Sequence, residues 1–238
     1  MKTIEQLKVK IFADGADLDG ILELYRNPHI TGFTTNPTLM RKSGVSDYER
    51  FARQVLEHIT DRPISFEVFS DEFDEMERQA RKIATWGENV YVKIPVTNTR
   101  RESSVELVRH LASEGVQLNV TALMTLEQVK IISTALEDHA PSYISVFAGR
   151  IADTGRDPMP LMKEAIKIMS PYKLQELIWA SPRELLNIFH ADEIGCHVIT
   201  VTHDLLKKLS LVGKELDEYS LDTVKMFYSD AQKAGFQL

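Results

Sequence analysis

The segment Tyr91–Thr97, with the sequence YVKIPVT, has the alternation of a buried β-strand in which one position is charged. Val92, Ile94 and Val96 share one face of such a strand, because successive side chains point in opposite directions. Lys93 lies on the other face, where an unpaired ammonium group is costly to bury. Burial favours the neutral amine, which is a nucleophile toward carbonyl groups. A lysine that reaches solvent or pairs with a carboxylate is the alternative interpretation of this segment alone.

Short apolar segments alternate with helix-period segments along the whole chain. The strand candidates are Val9–Asp14, Gly32–Asn36, Ile64–Phe69, Tyr91–Val96, Leu118–Leu123, Tyr143–Gly149, Leu177–Ser181 and Cys196–Thr202. Strands that are each followed by a helix, in this number, predict an α/β protein with a single (β/α)₈ TIM barrel over residues 1–238. We expect helix N-caps at Asp17, Ser46, Asp71 and Ser181.

An extra helix is predicted after the barrel, over Ser220–Ala234 within residues 220–238. It carries Leu221, Val224 and Phe227 on one face. An apolar helix face is normally buried, so we expect this helix to pack on the barrel or on a neighbouring subunit.

The composition narrows the classes of partner. The formal net charge is −7 and no basic run stands out, which argues against nucleic acid as a partner. No apolar stretch approaches the roughly 20 residues that span a bilayer, so we expect no membrane partner. The single cysteine, Cys196, cannot form an internal disulfide, and we therefore expect a cytoplasmic protein.

In most predicted strands one parity is apolar and suits the interface with the outer helices, as Leu118, Val120 and Ala122 do in the fifth strand. The other parity carries polar side chains, mostly toward the carboxyl end of the strand, namely Asp14, Asn36, Glu67, Lys93, Asn119, Thr121 and Ser145. Because barrel enzymes keep their chemistry at that end, we predict that these side chains converge on one site.

A lysine beside two carboxylates, hydroxyls and amides is suited to Schiff-base chemistry on a sugar. Lys93 would attack a ketone and lose water to form an iminium, which accepts electrons when the neighbouring C–C bond breaks. One of Asp14 and Glu67 would move protons on the substrate hydroxyl, and the other would assist dehydration of the carbinolamine. The carboxylates would equally suit a structural ion pair with Lys93, so the arrangement alone leaves both interpretations open.

Basic residues follow the sixth and seventh strands, and barrels often bind phosphate in their last loops. Arg150 comes directly after the sixth strand, while Ser181 and Arg183 are predicted to open the helix after the seventh. A helix N-terminus with nearby arginines binds anions, which predicts a phosphate site. In isolation, Ser181-Pro182-Arg183 is more often an ordinary capped helix start.

Several spaced motifs resemble those of the transaldolase family. Gly32–Thr38 (GFTTNPT) resembles the signature G-[VI]-T-T-N-P-[ST], and Val92–Thr97 resembles the Schiff-base strand of the small, fructose-6-phosphate-aldolase-like subfamily. The segments Asn119–Thr121, Ser145–Ile151 and Ala180–Arg183 follow in the family's order. Because the motifs occur in register from the first strand to the C-terminal helix, the resemblance is far more specific than any one of them.

The resemblance implies a class I aldolase-type barrel and a role for each matching residue. Lys93 would form the Schiff base, and Asp14 would act as acid and base on the substrate hydroxyl. Glu67 and Thr121 would hold the catalytic water. The implied substrate-binding residues are Asn36, Asn119 and Ser145 for the dihydroxyacetone part, Thr34 and Phe147 as further substrate-binding residues, and Arg150, Ser181 and Arg183 for the phosphate.

The implied reaction passes a dihydroxyacetone unit from a ketose phosphate, sedoheptulose 7-phosphate or fructose 6-phosphate, to an aldose phosphate, as in the pentose phosphate pathway. The resemblance implies no cofactor and no metal. The resemblance implies that fructose-6-phosphate aldolases have Gln at the position of Glu67 and Tyr at the position of Phe147. This chain differs at both positions, so the resemblance favours transaldolase over lyase. A non-catalytic sugar-phosphate binder is the third hypothesis, and it predicts loss of Lys93, Asp14 or Glu67, which are all present.

The chain departs from the subfamily pattern at three places. Asn98–Arg101 stands where a Gly-Leu step is usual, Pro182 replaces a bulkier residue, and Trp179 is unusual before the Ser-x-Arg motif. Arg100 and Arg101 would contact a second acidic group of an unusual substrate or simply be exposed at a helix start. A role in specialised sugar metabolism therefore remains an alternative.

The resemblance also implies a homo-oligomer, since the small subfamily tends to form decamers built from pentamers through the C-terminal helix.

Asp153, Arg156 and Asp157 are predicted to form a solvated polar loop.

A group of potential metal ligands, His190, Cys196, His197 and His203, lies close together in sequence. Its spacing matches no standard ligand pattern, and no metal site is expected from it.

Overall fold

The computed structural model describes residues 2–237 and shows parallel strands that are hydrogen-bonded in chain order into a closed barrel. The strands are β1 (Lys10–Asp14), β2 (Ile30–Thr34), β3 (Ile64–Glu67), β4 (Val90–Pro95), β5 (Leu118–Leu123), β6 (Ser142–Val146), β7 (Gln175–Trp179) and β8 (Val198–Thr202). β8 pairs in parallel with β1, so the sheet has no free edge. The predicted (β/α)₈ barrel is confirmed.

Helices surround the strands. They are α1 (Leu18–Tyr25), α2 (Pro37–Lys42), α3 (Tyr48–His58), α4 (Phe73–Ala84), α5 (Val105–Ser113), α6 (Leu126–Leu136), α7 (Ala148–Ala152), α8 (Met159–Met169), α9 (Leu186–Glu193), α10 (His203–Leu206) and α11 (Leu216–Ala234). Short 3₁₀ helices lie at Ile4–Gln6 and Lys207–Leu211. No helix within residues 2–237 is long and apolar enough to cross a membrane.

The observed helix N-caps agree only in part with the predicted ones. Asp17 caps α1 as predicted, since its carboxylate accepts a hydrogen bond from the N–H of Gly20 at 2.8 Å. The prediction of Ser46 is wrong, because the carboxylate of Asp47 caps α3. The prediction of Asp71 is also wrong, because its carboxylate accepts hydrogen bonds from Thr99 in the loop after β4 instead.

Strand boundaries differ from the prediction by up to three residues, and β2 and β6 show why. β2 begins and ends two residues before the predicted segment, because Asn36 leaves the strand and caps α2, where Pro37 is the first helical residue. β6 ends at Val146, because α7 begins at Ala148 within the predicted strand. The remaining strand boundaries lie within two residues of the prediction.

The strands separate an outer core from a barrel interior. Ile11, Phe33, Val92 and other residues of the apolar parity are buried against the helices, as predicted. Inside the barrel, the rings of Phe12 and Tyr143 pack edge to face with centroids 5.5 Å apart, next to Tyr91. These rings fill the interior toward the amino ends of the strands, so the polar side chains of the same parity have space at the carboxyl ends.

The C-terminal helix projects from the barrel. α11 begins four residues before the predicted helix and has no buried residue along its 19 residues. Leu221, Val224 and Phe227 are 44%, 60% and 63% exposed. Within this single chain the apolar face therefore does not pack on the barrel, which was one of the two predicted positions.

Candidate active site

A cavity of about 510 Å³ opens at the carboxyl ends of the strands. The predicted site residues that line it are Asp14, Thr34, Asn36, Glu67, Lys93, Thr121, Ser145, Phe147, Arg150, Ser181 and Arg183. Asn119 does not line it and lies beneath Ser145, whose hydroxyl donates a hydrogen bond to the Asn119 side-chain oxygen at 2.7 Å. The structure thus brings the predicted residues into one place.

Lys93 lies at the centre of this group, and its residue is only 6% exposed. The parallel register pairs Glu67 of β3 with Lys93 of β4 and Lys93 with Asn119 of β5, which sets the three residues at one level of the barrel. The Lys93 Nζ atom donates a hydrogen bond to the backbone oxygen of Thr35 at 3.0 Å. It lies 3.2 Å from Glu67 Oε2. The amine is therefore held between a carbonyl and a carboxylate.

Glu67 is itself held by a residue that the sequence did not indicate. The hydroxyl of Tyr48, on α3, accepts a hydrogen bond from the Glu67 N–H at 2.7 Å and donates one to the Glu67 backbone oxygen at 2.8 Å. Burial raises the pKa of Tyr48, so its hydroxyl stays protonated and can donate. Tyr48 lies 19 residues from Glu67 on a different element, and no local pattern predicts such a contact.

Asp14, at the end of β1, is the second carboxylate of the site. Its Oδ1 atom accepts a hydrogen bond from the hydroxyl of Thr34 at 2.9 Å, and that hydroxyl also contacts the hydroxyl of Thr200 on β8. Burial raises the pKa of Asp14, while the Lys93 charge and the Thr34 hydrogen bond partly oppose this rise. Asp14 therefore keeps its proton to a higher pH than an exposed aspartate does.

Thr121 lies in an irregular part of β5, two residues before the end of the strand. Its hydroxyl is buried and has no hydrogen-bond partner in the part of the chain that the structure describes. The next residue, Ala122, has a φ of +65°, and the pairing of β5 with β6 shifts register here. Ala122 therefore lines the cavity instead of pointing to the helices, which corrects the predicted parity. Backbone strain of this kind is concentrated at functional sites.

The loop after β7 differs from the prediction. Ser181 has a φ of +60°, so it cannot cap a helix, and α9 begins at Leu186. The side-chain oxygen of Asn187 accepts hydrogen bonds from the N–H groups of Arg183 and Glu184 at 2.8 and 3.2 Å and closes the preceding turn. Ser181 and Arg183 thus approach the cavity from a loop and not from a helix N-terminus.

The loop after β7 packs closely on α7. A Cβ atom added at Gly149 would lie 1.5 Å from the backbone oxygen of Ser181, so only glycine fits there. This approach places Arg150 and Ser181 at the same side of the cavity. The Arg150 guanidinium lies over the Phe147 ring, with its carbon 5.5 Å from the ring centroid.

Arg183 forms an ion pair that the sequence analysis did not expect. Its Nε atom donates to Asp153 Oδ1 at 2.9 Å, and its Nη2 atom contacts the other carboxylate oxygen. This hydrogen bonding lowers the pKa of Asp153. Asp153 is exposed, as predicted for a solvated polar loop, and its carboxylate in addition orients a cavity-lining guanidinium.

The unusual arginine Arg100 lies outside the cavity. Its guanidinium pairs with Glu72 at 2.8 Å and with Asp71 at 3.4 Å, and so connects the loops after β3 and β4. Glu102 completes the network at 3.1 Å. These contacts favour the structural interpretation of this departure over contact with a second acidic group of a substrate.

The cysteine and histidine near β8 have structural partners. The Cys196 thiol is buried against the backbone oxygens of Leu177 and Val198, and burial raises its pKa to about 12. His197 Nδ1 accepts a hydrogen bond from the Leu177 N–H at 3.0 Å. Within residues 2–237, no group of three or more potential ligands is arranged to bind a metal.

A second cavity, of about 480 Å³, lies at the amino ends of the strands. Its two lysines, Lys10 and Lys173, are exposed and so lack the buried position of Lys93. Lys10 is in addition paired with Glu176 at 2.6 Å. Barrel enzymes carry their chemistry at the carboxyl ends, and the first cavity is therefore the candidate active site.

Known proteins are similar to this chain over most of its length. The model of the family described as Transaldolase/Fructose-6-phosphate aldolase matches residues 11–238. A protein of Thermoanaerobacter sp. (strain X514) named "Probable transaldolase" is 32% identical over 231 residues, which is 97% of this chain and 100% of that protein. A "Probable transaldolase 2" of Listeria monocytogenes is 36% identical over 202 residues, which is 84% of this chain and 88% of that protein.

Solved structures show similarity of fold alone. The crystal structure of dihydrodipicolinate synthase from Rhodopseudomonas palustris aligns with a TM-score of 0.57 at 13% identity and covers 93% of this chain and 80% of the other. That of 2,3-dimethylmalate lyase aligns with a TM-score of 0.54 at 11% identity, covering 98% of this chain and 86% of the other.

Proposed function

The chain belongs to the transaldolase/fructose-6-phosphate aldolase family, and from this we propose that it is a transaldolase. It transfers a dihydroxyacetone unit from a ketose phosphate to an aldose phosphate, and fructose 6-phosphate and sedoheptulose 7-phosphate are the proposed donors. The observation that carries the proposal is the buried amine of Lys93, which lies 3.2 Å from Glu67 in a cavity that also contains Asp14.

The first step is formation of the Schiff base. The Lys93 ammonium first gives up a proton, which Glu67 is close enough to accept. The lone pair of the neutral amine then attacks C2 of the ketose, the C2–O double bond becomes a single bond, and its oxygen takes up the proton that the newly bonded nitrogen releases. The resulting carbinolamine loses its hydroxyl as water when a proton is delivered to it, which leaves an iminium. Glu67 and the Thr121 hydroxyl would hold the water that carries these protons, and the unpartnered hydroxyl of Thr121 supports this role.

The second step breaks the C3–C4 bond. Asp14 accepts the proton of the C4 hydroxyl, the C4–O bond becomes a carbonyl, and the electrons of the C3–C4 bond move to C3 and the iminium nitrogen. The aldose phosphate leaves, and the enamine remains on Lys93. Attack of the enamine on an acceptor aldehyde reverses these steps, with Asp14 returning its proton to the new hydroxyl.

Substrate binding divides between the two sides of the cavity. The Ser145 hydroxyl is fixed by Asn119, whose amide donates to Ser65 at 2.9 Å, and Ser145 with Asn36 would contact the dihydroxyacetone hydroxyls. Arg150, Ser181 and Arg183 would bind the phosphate, because guanidinium groups donate to phosphate oxygens in pairs.

Chemical trapping tests the proposal. Borohydride reduction in the presence of fructose 6-phosphate should attach a three-carbon unit or the hexose to Lys93, and mass spectrometry of the digested protein would locate it. Lys93→Met should abolish both the adduct and turnover. Lys10→Met, at the opposite end of the barrel, is the matched control and should still be trapped at Lys93. An adduct at another residue, or none in the wild type, would contradict the proposed function.

Incubation with fructose 6-phosphate alone separates transferase from lyase. Phe147 has no hydroxyl that could protonate the enamine, so we expect the three-carbon unit to remain bound until erythrose 4-phosphate is added as acceptor. Formation of sedoheptulose 7-phosphate on that addition supports transaldolase. Rapid release of dihydroxyacetone without an acceptor would identify the alternative, a fructose-6-phosphate aldolase.

A further inference from the structure

Three residues on the adjacent strands β8, β1 and β2 form a short chain of hydrogen bonds. Thr34 lies between Asp14 and Thr200, and its Oγ1 atom is 2.9 Å from Asp14 Oδ1 and 2.5 Å from Thr200 Oγ1. The strand register places Thr34 beside Asp14 on one side of β1 and Thr200 beside Phe12 on the other. Thr200 is 6% exposed and lines the cavity.

The number of protons determines the direction of these hydrogen bonds. Each hydroxyl has one proton to donate, and an ionised carboxylate can only accept. When Asp14 is ionised, the Thr34 proton is directed to Asp14, so the hydroxyl contact between the threonines requires Thr200 to be the donor. The chain then runs in one direction, from Thr200 to Thr34 to Asp14.

We propose that Thr200 is a positioning residue which, by donating to Thr34, directs the Thr34 proton onto Asp14 and so stabilises Asp14 in its ionised, proton-accepting form. The inference rests on the proposed function, because it assigns Asp14 the proton of the substrate C4 hydroxyl. Hydrogen bonds in a chain polarise one another, and the Thr34–Asp14 bond is therefore stronger with Thr200 in place.

The surroundings of Asp14 make this support necessary. The charged groups that face it are Lys93 from β4, which favours the carboxylate, and Glu67 from β3, which opposes it. Lys42, Arg150 and Arg183 also line the cavity. The adjacent β2 and β8 present hydroxyl groups and no charge, since Thr34, Thr200 and Thr202 line the cavity there. Burial raises the pKa of Asp14, and the threonine chain acts against that rise.

Substitution of Thr200 tests the inference through the pH dependence of catalysis. Thr200→Val keeps the shape and removes the hydroxyl, so the acid limb of the kcat/KM profile should move to higher pH by about half a unit. At the foot of this limb kcat should fall about threefold, and KM for the sugar phosphate should stay unchanged. Thr200→Ser restores the hydroxyl and should restore the profile. Thr31→Val, the same change near the amino end of β2 and away from Asp14, is the control.

An activity-independent measurement separates this inference from the proposed function. The carboxyl of Asp14 can be titrated by ¹³C NMR in protein labelled at aspartate Cγ, with Asp14→Asn used to assign the signal. A higher midpoint in Thr200→Val than in Thr200→Ser or the wild type supports the inference, whatever reaction the wild type catalyses. An unchanged midpoint, or an acid limb that does not move, would overturn it, whereas absence of a trapped adduct in the wild type would overturn only the proposed function.

Discussion

At the scale of single residues, Phe147 is the side chain that we expect to decide the fate of the three-carbon intermediate. It is partly buried, packs on the aromatic interior of the barrel and lines the cavity. Phe147→Tyr adds one hydroxyl with little change of shape and supplies a proton donor near the enamine. We expect release of dihydroxyacetone from fructose 6-phosphate to rise about tenfold or more, since general acids commonly contribute that much. A coupled assay of dihydroxyacetone measures it.

The control for this prediction is transfer to erythrose 4-phosphate by the same variant. Transfer should fall as release rises, because both consume one intermediate. A variant that transfers at the wild-type rate and releases no dihydroxyacetone would show that the residue does not control protonation.

Asp14 also affects stability, because its pKa is raised in the folded protein. Between the unfolded and the folded pKa, the native state binds more protons than the unfolded state, so stability falls as pH rises through this interval. Above the folded pKa the loss is complete. Asp14→Asn has no such proton to lose, and its Tm at pH 7 should therefore exceed that of the wild type.

This difference in Tm should shrink as the pH is lowered through the raised pKa of Asp14 and should vanish below about 3, where the wild-type carboxyl is protonated in both states. Thermal unfolding at a series of pH values measures it. A difference that stays constant with pH would point to packing and not to the charge of Asp14.

The sequence predicted the features of the site that follow from local alternation, but not the contacts between residues that are distant in the chain. Strand parity placed Lys93, Glu67 and Ser145 on the inner face, because alternation is a local property of the chain. Thr200 meets Thr34 across 166 residues and Asp153 meets Arg183 across 30, and neither contact leaves a pattern in the local sequence. Such partners become visible only when the barrel closes.

At the scale of elements, the contact between α7 and the loop after β7 shapes the predicted phosphate side of the cavity. Gly149→Ala would place a methyl group 1.5 Å from the Ser181 oxygen, so the loop would have to move. We expect a loss of about 2 kcal/mol in the free energy of unfolding, as for overpacked sites, and a higher KM for the sugar phosphate. Denaturant unfolding and steady-state kinetics measure the two effects.

Gly15→Ala is the matched control for this prediction. A Cβ atom added at Gly15 meets no atom within 4 Å, and its φ lies outside the left-handed range. Its stability should stay near that of the wild type. Equal losses in the two variants would mean that the close approach at Gly149 is not the cause.

Element boundaries were less predictable than element types. Asn36 continues the polar parity of β2, yet its side chain caps α2 and ends the strand. Serine is common at helix N-caps, but Ser181 has a positive φ, and the turn closed by Asn187 follows it. The helix α9 therefore begins only at Leu186. In both cases hydrogen bonds of a side chain determine whether the backbone forms a strand, a turn or a helix start, and apolar periodicity does not encode these hydrogen bonds.

At the scale of the whole molecule, the alternation of strand and helix was enough to predict a closed barrel, because this number of parallel strands with outer helices has one common solution. The position of α11 was not predictable from its apolar face alone. Its apolar residues Leu221, Val224 and Phe227 are exposed in the single chain, and exposed apolar patches often mark interaction sites.

We therefore propose that α11 packs on a second copy of the chain. Phe227→Glu combined with Val224→Glu should reduce the mass measured by light scattering to that of one chain, because buried charges oppose association. Lys225→Glu, on the same helix, is the control and should leave the mass unchanged. If the wild type is itself monomeric at micromolar concentration, the helix has another role.

The closeness of α7 to the loop after β7 has a consequence for engineering this barrel. A loop grafted from another barrel has its own backbone conformation, and here the backbone of the loop after β7 must lie close to Gly149, which tolerates no side chain. Residues 147–155 and 180–187 are thus a single exchangeable cassette, and attempts to broaden the range of accepted sugars should transplant both segments from one donor.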